Sequence, residues 1–523
     1  MDACDRSECL IGTRLDILSF IDDWVKCPSR EHSVLWIHGL AGSGKSAIST
    51  TISNRFRERG WLGAFIFFDR DVIARSDPAT VVRTLAYQLG TFHASIGIKI
   101  AAAIESTPSI CHAPIRLQFQ KLIIEPLLSV QDVSISGPIV LVLDALDECS
   151  SARERKHLVA VLAEDTANLP STVCMIITTR ADFDIRCALE SRDHVYAREL
   201  DIASESNIED VLLYLRYRMA GVRRANRYLP LDAGWPGDDN IRELAKQAHG
   251  LFVWAKVASE FIDGHDPRKR LNSLLTRQQM PEAESALDVL YQTALEHAGR
   301  WDDPDFVTDF RAILGVVLAT KDSLSVSAID SLLGTADGRP SIHTISLLGC
   351  VLYSTPRVRV LHPSFVEFLS NKERCQKQIW FIDLGYQHVR LATLCLDRLS
   401  GVLRRNICNL TLSCSVTEGS LPEDVSYACI FWIEHIDLMG ESVVLVAEHV
   451  DTFVQLHLLH WLEAMSILHH SRQCPRLLQR LLHCIQVSLH PFVEIDTNTT
   501  NVKISTPIAD LPSWSRSPFP SCC

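Results

Sequence analysis

Trp36-Ile37-His38-Gly39-Leu40-Ala41-Gly42-Ser43-Gly44-Lys45-Ser46 is the stretch that decides the fold. A short apolar run, Val34 to Ile37, feeds straight into a glycine loop. A helical pattern leaves it, Lys45 to Glu58, with Ile48, Ile52 and Phe56 on one face. The spacing Gly39-x-x-x-x-Gly44-Lys45-Ser46 is that of a phosphate-binding loop. Glycines let backbone N–H groups turn inward around phosphate, and the following helix adds positive potential at its N-terminus. Gly39, Leu40, Ala41, Gly42, Ser43, Gly44, Lys45, Ser46 and Ala47 are therefore the expected cofactor-binding set. Lys45 is expected on the outer phosphates and Ser46 on Mg²⁺.

Working outward, further apolar runs follow. Ala64 to Phe68, Ile139 to Leu143 and Val173 to Ile177 read as buried strands. Helical patterns separate them, one opened by Asp77-Pro78, a capping residue followed by a proline suited to the first helical position. Strands that are apolar throughout, alternating with helices, predict a parallel sheet covered on both faces. Asp144 ends the third run, where such a sheet binds its ligand. It is expected to hold Mg²⁺, directly or through water, together with Ser46. Asp147 and Glu148 come next. A carboxylate there can orient an attacking water, and Glu148 is the first choice. Asp147 is also readable as a helix N-cap or first-turn acid. Thr178-Thr179-Arg180 ends the fourth run, and Arg180 can reach a terminal phosphate; the plain alternative is a surface arginine.

Strand signals nearly stop after about residue 200. The expected organisation is a lead at 1–32, an α/β P-loop NTPase domain at 33–200 and a helical domain at 201–302. A winged-helix segment at 303–375, a further all-α region at 376–490 and an extended or disordered tail at 491–523 complete it. Within it, Ile208 to Met219 and Ile241 to Ile262 read as helical. So do Phe306 to Leu318, Val326 to Leu333 and Ile342 to Leu352, ahead of a strand at Val358 to Leu361. Leu458, Leu459, Leu462 and Met465 read as one apolar helix face.

The chain has 523 residues, 47% of them hydrophobic and 22% charged, ordinary for a soluble globular protein. A net charge of −12 argues against a broad nucleic-acid surface. No continuous apolar run reaches the ~18 residues of a membrane span, and the acidic N-terminus is unlike a signal peptide. A cytoplasmic protein with no membrane or nucleic-acid partner is expected. The 17 cysteines form no Cys-x-x-Cys pair, and Cys149 and Cys174 read as reduced core residues. The terminal Cys522-Cys523 pair is like that of prenylated small GTPases, but no basic run precedes it. The base is expected to be adenine, because the Asn-Lys-x-Asp element of GTPases is missing; Asn371-Lys372-Glu373-Arg374 lacks the Asp. Zinc-protease, serine-hydrolase and protein-kinase motifs are also missing.

Taken together, the glycine loop, "LVLDALDEC" (Leu141 to Cys149) and "IITTR" ending at Arg180 resemble a NACHT domain, found in signalling ATPases of the STAND class. "GTR" (Gly12 to Arg14), "SDPATVVRTLAYQL" (Ser76 to Leu89), "GLFVWA" (Gly250 to Ala255), "LHPSFVEFL" (Leu361 to Leu369), "YACIFWIEHI" and "HLLHWLEAMSIL" are similar to stretches of fungal, nephrocystin-like members. The resemblance implies that Ile11, Gly12 and Arg14 lie against adenine. It implies that His362 touches the β-phosphate of ADP in a closed state, and that Phe252 replaces a base-touching proline. It also implies a slow Mg²⁺-dependent ATPase that self-associates when open, with effector and sensor partners, in self/non-self recognition, innate immunity or cell death. Such proteins often carry an effector domain before this region and repeats after it. The sequence starts about thirty residues before the loop and has no repeats, as expected of a minimal or truncated member or of one whose missing parts lie on partners. A steadily turning-over remodelling ATPase is the alternative.

Overall fold

The computed structural model describes residues 7–489 except 28–30, 71, 131–136, 191, 233, 278–279, 281, 336–337, 376, 378 and 409–420. Beyond these it describes only the backbone of 493–495 and 502–504. Cys522 and Cys523 lie outside the described residues.

Five strands form one sheet: β1 Val34–His38, β2 Leu62–Phe67, β3 Ile139–Asp144, β4 Val173–Thr179 and β5 Val195–Glu199. Their order is β2-β3-β4-β1-β5 and every pairing is parallel. Alternate residues of the central strands enter two separate cores. Val34, Trp36, Leu141, Leu143, Met175 and Ile177 face one core, with the helix Pro78–Phe92 and the helix Ala152–Glu164. Leu35, Ile37, Val140, Val142 and Ile176 face the other, with the helices Leu15–Lys26 and Lys45–Glu58. The fold is thus the expected α/β P-loop NTPase type, a parallel sheet with helices on both faces, followed by helices. Asp77 caps its helix as its sequence implies, accepting from the Ala79 N–H.

β5 escaped the sequence reading. It is an edge strand, paired only with β1, and its last three residues are exposed. An edge strand does not need the apolar run that marks a buried one. Ile241 to Ile262 is two helices, Asp238–Gln247 and Phe252–Ile262, broken at Gly250. Ile342 to Leu352 shortens to Ile342–Leu347. The chain then turns into β6 Leu352–Tyr353, which pairs antiparallel with β7 Arg359–Val360.

The chain forms two compact units. The first holds residues 1–308, 321–323 and 342–381, with the sheet, the helices to about 300 and the β6–β7 hairpin. The second holds 309–320, 324–341 and 382–523, so the 303–375 stretch contributes to both units. In the second unit the helices Leu384–Val402, Glu423–Asp437 and Ala447–Ile467 bury Trp432 and Trp461, packed edge to face at 5.9 Å. The buried stripe of the last of these includes Phe453, Trp461, Ala464 and Met465. Leu459, expected on the apolar face, is 77% exposed, because the aromatic residues fix that face one position away. Within 491–523, the described residues Val493–Ile495 and Val502–Ile504 pair as an antiparallel hairpin.

Among the described residues, one helical stretch, Ser442–Ile467, is long and apolar enough by length and composition to cross a membrane. Its most apolar window is 22% buried. Glu448 and Asp451 interrupt the run, which is why a search for unbroken apolar residues passes over it.

Candidate nucleotide site

The carboxyl ends of β1, β3 and β4 define the site. β4 lies between the other two, so Arg180 falls between the glycine loop and the acidic end of β3. A cavity of about 310 Å³ opens there. Its walls include Arg14, Ala41, Gly42, Gly44, Lys45, Ser46 and Ala47. Asp147, Glu148, Arg180, Phe252 and His362 also face it.

The loop is held by its own lysine. Lys45 Nζ donates to the carbonyls of Gly39 and Leu40, each at 2.8 Å. Burial pushes the Lys45 pKa down to about 8, with Arg180 adding repulsion; Asp147, Asp144 and Glu148 act the other way. Gly42 sits at φ +75°, and a Cβ there would lie 2.1 Å from Val253 Cγ1 and 3.7 Å from His362 Nε2. Only a glycine fits between these side chains. The Val253 N–H donates to the Gly42 carbonyl at 3.2 Å, so the helix Phe252–Ile262 clamps the loop.

Asp144 is fully buried and accepts from Thr178 Oγ1 at 2.6 Å. It stands behind the cavity wall, whereas Glu148 faces the cavity directly. Asp147 has a different job from the capping one. Its Oδ1 accepts the Arg180 N–H at 2.9 Å and its Oδ2 lies 3.3 Å from Arg180 Nε. The next helix is capped by Ser151, in a reciprocal box with Glu154. Arg155, almost wholly buried, donates to the Asp147 carbonyl at 2.7 Å and pairs with Asp182 and Asp184. Asp147 is thus a fixed brace for Arg180.

His362 caps the helix Pro363–Ser370. Its Nδ1 accepts from the Ser364 N–H at 3.2 Å and lies 2.7 Å from Ser364 Oγ. An accepting Nδ1 puts the ring proton on Nε2, the atom that faces Gly42. Burial, with Arg180, Lys45, Lys256 and Arg70 nearby, pushes the His362 pKa down to about 3. The imidazole is therefore a neutral N–H donor at physiological pH.

The adenine-side expectation divides. Arg14 is buried on the cavity wall. Its guanidinium lies over the Phe252 ring at 4.6 Å and donates to the Ser43 carbonyl, and its Nε is buried without a hydrogen-bond partner. Its backbone N–H donates to Asp210 Oδ2 at 2.9 Å. Ile11 is 95% exposed. Gly12, at φ +91°, lies against Leu213. Neither lines the cavity, whereas Leu10 and Thr13 on either side of them do. Leu40 is exposed, while Ser43 is fully buried within the loop.

The residues fit a phosphate-bearing ligand. The loop has no room for side chains at its centre, and among the described residues a guanidinium nitrogen of Arg14 is buried in the wall without a partner and Lys45 Nζ donates only to the loop's own carbonyls. Wall or brace residues missed from sequence include Arg155, Lys256, Glu367 and Asp210, with Tyr214 and Arg218 on the cavity wall. Arg155 braces Asp147 from one helix further on, while Lys256, Glu367 and Asp210 act through partners far away in the chain, so spacing carries no signal for them.

A family profile described as "Nephrocystin 3, N-terminal" matches residues 17–180, from the first helix to Arg180. A search of curated proteins returns no match. Among solved structures, Cdc6p from Pyrobaculum aerophilum aligns with a TM-score of 0.29 at 9% identity, covering 72% of this chain and 96% of that one. A chain from the Drosophila ORC bound to GC-rich DNA and Cdc6 aligns at 0.25 and 11%, covering 90% and 69%. A chain from Drosophila ORC bound to DNA aligns at 0.23 and 12%, covering 94% and 92%. Likenesses this low carry no argument about this chain. Over residues 17–180 the chain is similar to the nephrocystin 3 N-terminal segment, and over its whole length the fold of its sheet stands on its own strand order.

Proposed function

We propose that the protein is a Mg²⁺-dependent ATP/ADP switch of the NACHT type. The observation that carries this reading is one cavity walled by the glycine loop, Arg180 and His362. Backbone N–H groups of the loop and Lys45 Nζ would bind phosphate oxygens. Ser46 would hold Mg²⁺ at the cavity and Asp144, behind its wall, would do so through water; the ion when bound neutralises phosphate charge. Glu148 would orient a water. His362 Nε2–H would donate to the β-phosphate in a closed ADP state, and Arg180 would respond to a γ-phosphate. Opening would free a surface for self-association, and slow hydrolysis would reset the switch. A setting in recognition of self and non-self, or in cell death, is an extension from the resemblance.

The test uses the protein as purified. Denaturation, release of bound nucleotide and chromatography identify the ligand, with a sizing run alongside. ADP at about one per chain in a monomer is the expected result. Empty protein that hydrolyses added ATP fast would replace this reading with a turnover ATPase.

A pH prediction follows from Lys45. Its pKa near 8 in the free protein rises when phosphate binds, so binding is favoured at low pH and weakens as pH climbs through about 8. Between pH 8 and 10 the Kd should rise by up to about tenfold per unit. Calorimetry in two buffers should show close to one proton taken up at pH 9 and little at pH 7. Equal uptake at both would refute it.

A further inference from the structure

Arg180 is held from two sides. Asp147 braces its Nε, and Glu367 Oε1 accepts from its NH1 at 2.6 Å. Glu367 belongs to the helix Pro363–Ser370, the same helix that His362 caps. It draws two more guanidinium groups. Arg374 NH1 lies 3.7 Å from Glu367 Oε2, and Arg70 NH1 lies 4.0 Å from Oε1. Arg374 is itself anchored on Asp288 through Nε and NH2, at 3.0 and 2.7 Å. One carboxylate therefore stands among three arginines at the edge of a phosphate cavity. Such a cluster is what an anionic phosphoryl group also seeks.

We propose that Glu367 sets the preference between diphosphate and triphosphate, by holding in the closed arrangement the guanidinium that a γ-phosphate needs. This deepens the switch reading above and rests on it. A ligand that can engage Arg180 only after Glu367 lets go has its affinity reduced by the strength of that pair, whereas a ligand that does not reach Arg180 is unaffected. ADP and Glu367 are then compatible; ATP and Glu367 compete. Because Glu367 and His362 share one helix, displacing the carboxylate also pulls at the histidine over the loop. The cost of a third phosphate is in this way transmitted to the contact that favours the second.

The test is Glu367→Gln, which keeps the shape and removes the charge. ATP and ADP affinities are measured by calorimetry on the full chain. The expected result is ATP binding about tenfold tighter with ADP within about twofold of wild type. Glu367→Asp, with the charge retained, should restore most of the original ratio. In an Arg180→Gln background, Glu367→Gln should leave the ATP-to-ADP ratio unchanged, because the effect runs through Arg180. A melting curve checks that each variant is folded. If wild type binds both nucleotides and Glu367→Gln leaves their ratio unchanged, this inference is overturned and the switch reading survives. If wild type binds neither, the switch reading itself falls.

Discussion

Lys45→Ala is expected to weaken binding of both ATP and ADP by at least about 100-fold, near 3 kcal/mol. The size follows from what the ammonium does. It is a partly buried cation whose hydrogen bonds now run to the carbonyls of Gly39 and Leu40. Those two bonds span the loop and hold Nζ at the cavity. Hydrogen bonds to a charged group contribute ~1.5–3 kcal/mol each. Alanine removes the charge and leaves phosphate facing only backbone dipoles. Stability should move little, within about 1 kcal/mol, because the carbonyls can return to water and the depressed pKa marks a charge the free fold disfavours. Calorimetry with each nucleotide, beside a melting curve, separates the two effects. Wild-type affinity in a folded Lys45→Ala protein would sink the assignment of this cavity.

Much of the sheet is legible in the sequence for a physical reason. β1, β3 and β4 are buried on both faces, so each must be apolar throughout. β5 is paired on one side only and keeps Arg198 and Glu199 at its exposed end, so no such pattern marks it. The loop is legible because its glycines and lysine keep a fixed spacing, and Asp144 because it ends an apolar strand, although its own partner Thr178 lies on the next strand. Arg180 and Glu367 stand 187 residues apart, and nothing local in either segment announces the other. Asp147 shows the same limit. Its place beside Glu148 suggests chemistry or a cap, but its bonds to Arg180 and through its carbonyl to Arg155 make it a brace. Ile11 shows another limit: an apolar residue in a short turn is not bound to face inward, and here it is exposed while Arg14 of the same turn is buried. His362 is a middle case. By itself it reads as a strand-end histidine, and only the structure shows the capping bond that fixes the tautomer aiming Nε2–H at the loop.

Gly250→Ala is expected to destabilise the first unit by about 4–6 kcal/mol and to weaken nucleotide binding with it. Gly250 breaks the chain between two helices at φ +75°, where an alanine is strained by about 1 kcal/mol. Its added Cβ would lie 2.0 Å from the Ile202 carbonyl oxygen and 2.5 Å from Asn207 Nδ2. The first contact is backbone, so no side-chain rotation relieves it, and overpacking of this kind costs ~1–3 kcal/mol. The second displaces an amide that donates to both the Ile202 and Gly250 carbonyls, at 2.7 and 2.9 Å. Each lost bond adds about 1 kcal/mol. The damage reaches the site because the helix that starts two residues later carries Phe252 against Arg14 and Val253 against Gly42. Gly221→Ala supplies the contrast. That glycine lies inside the helix Glu205–Ala225 and no heavy atom lies within 4 Å of its added Cβ. Alanine there should be neutral or stabilise by up to about 1 kcal/mol. Denaturant melts of the two variants are the measurement. A Gly250→Ala protein as stable as Gly221→Ala would mean that the close approach to Ile202 and Asn207 does not hold the second helix against the loop, and the clamp on Gly42 would need another origin.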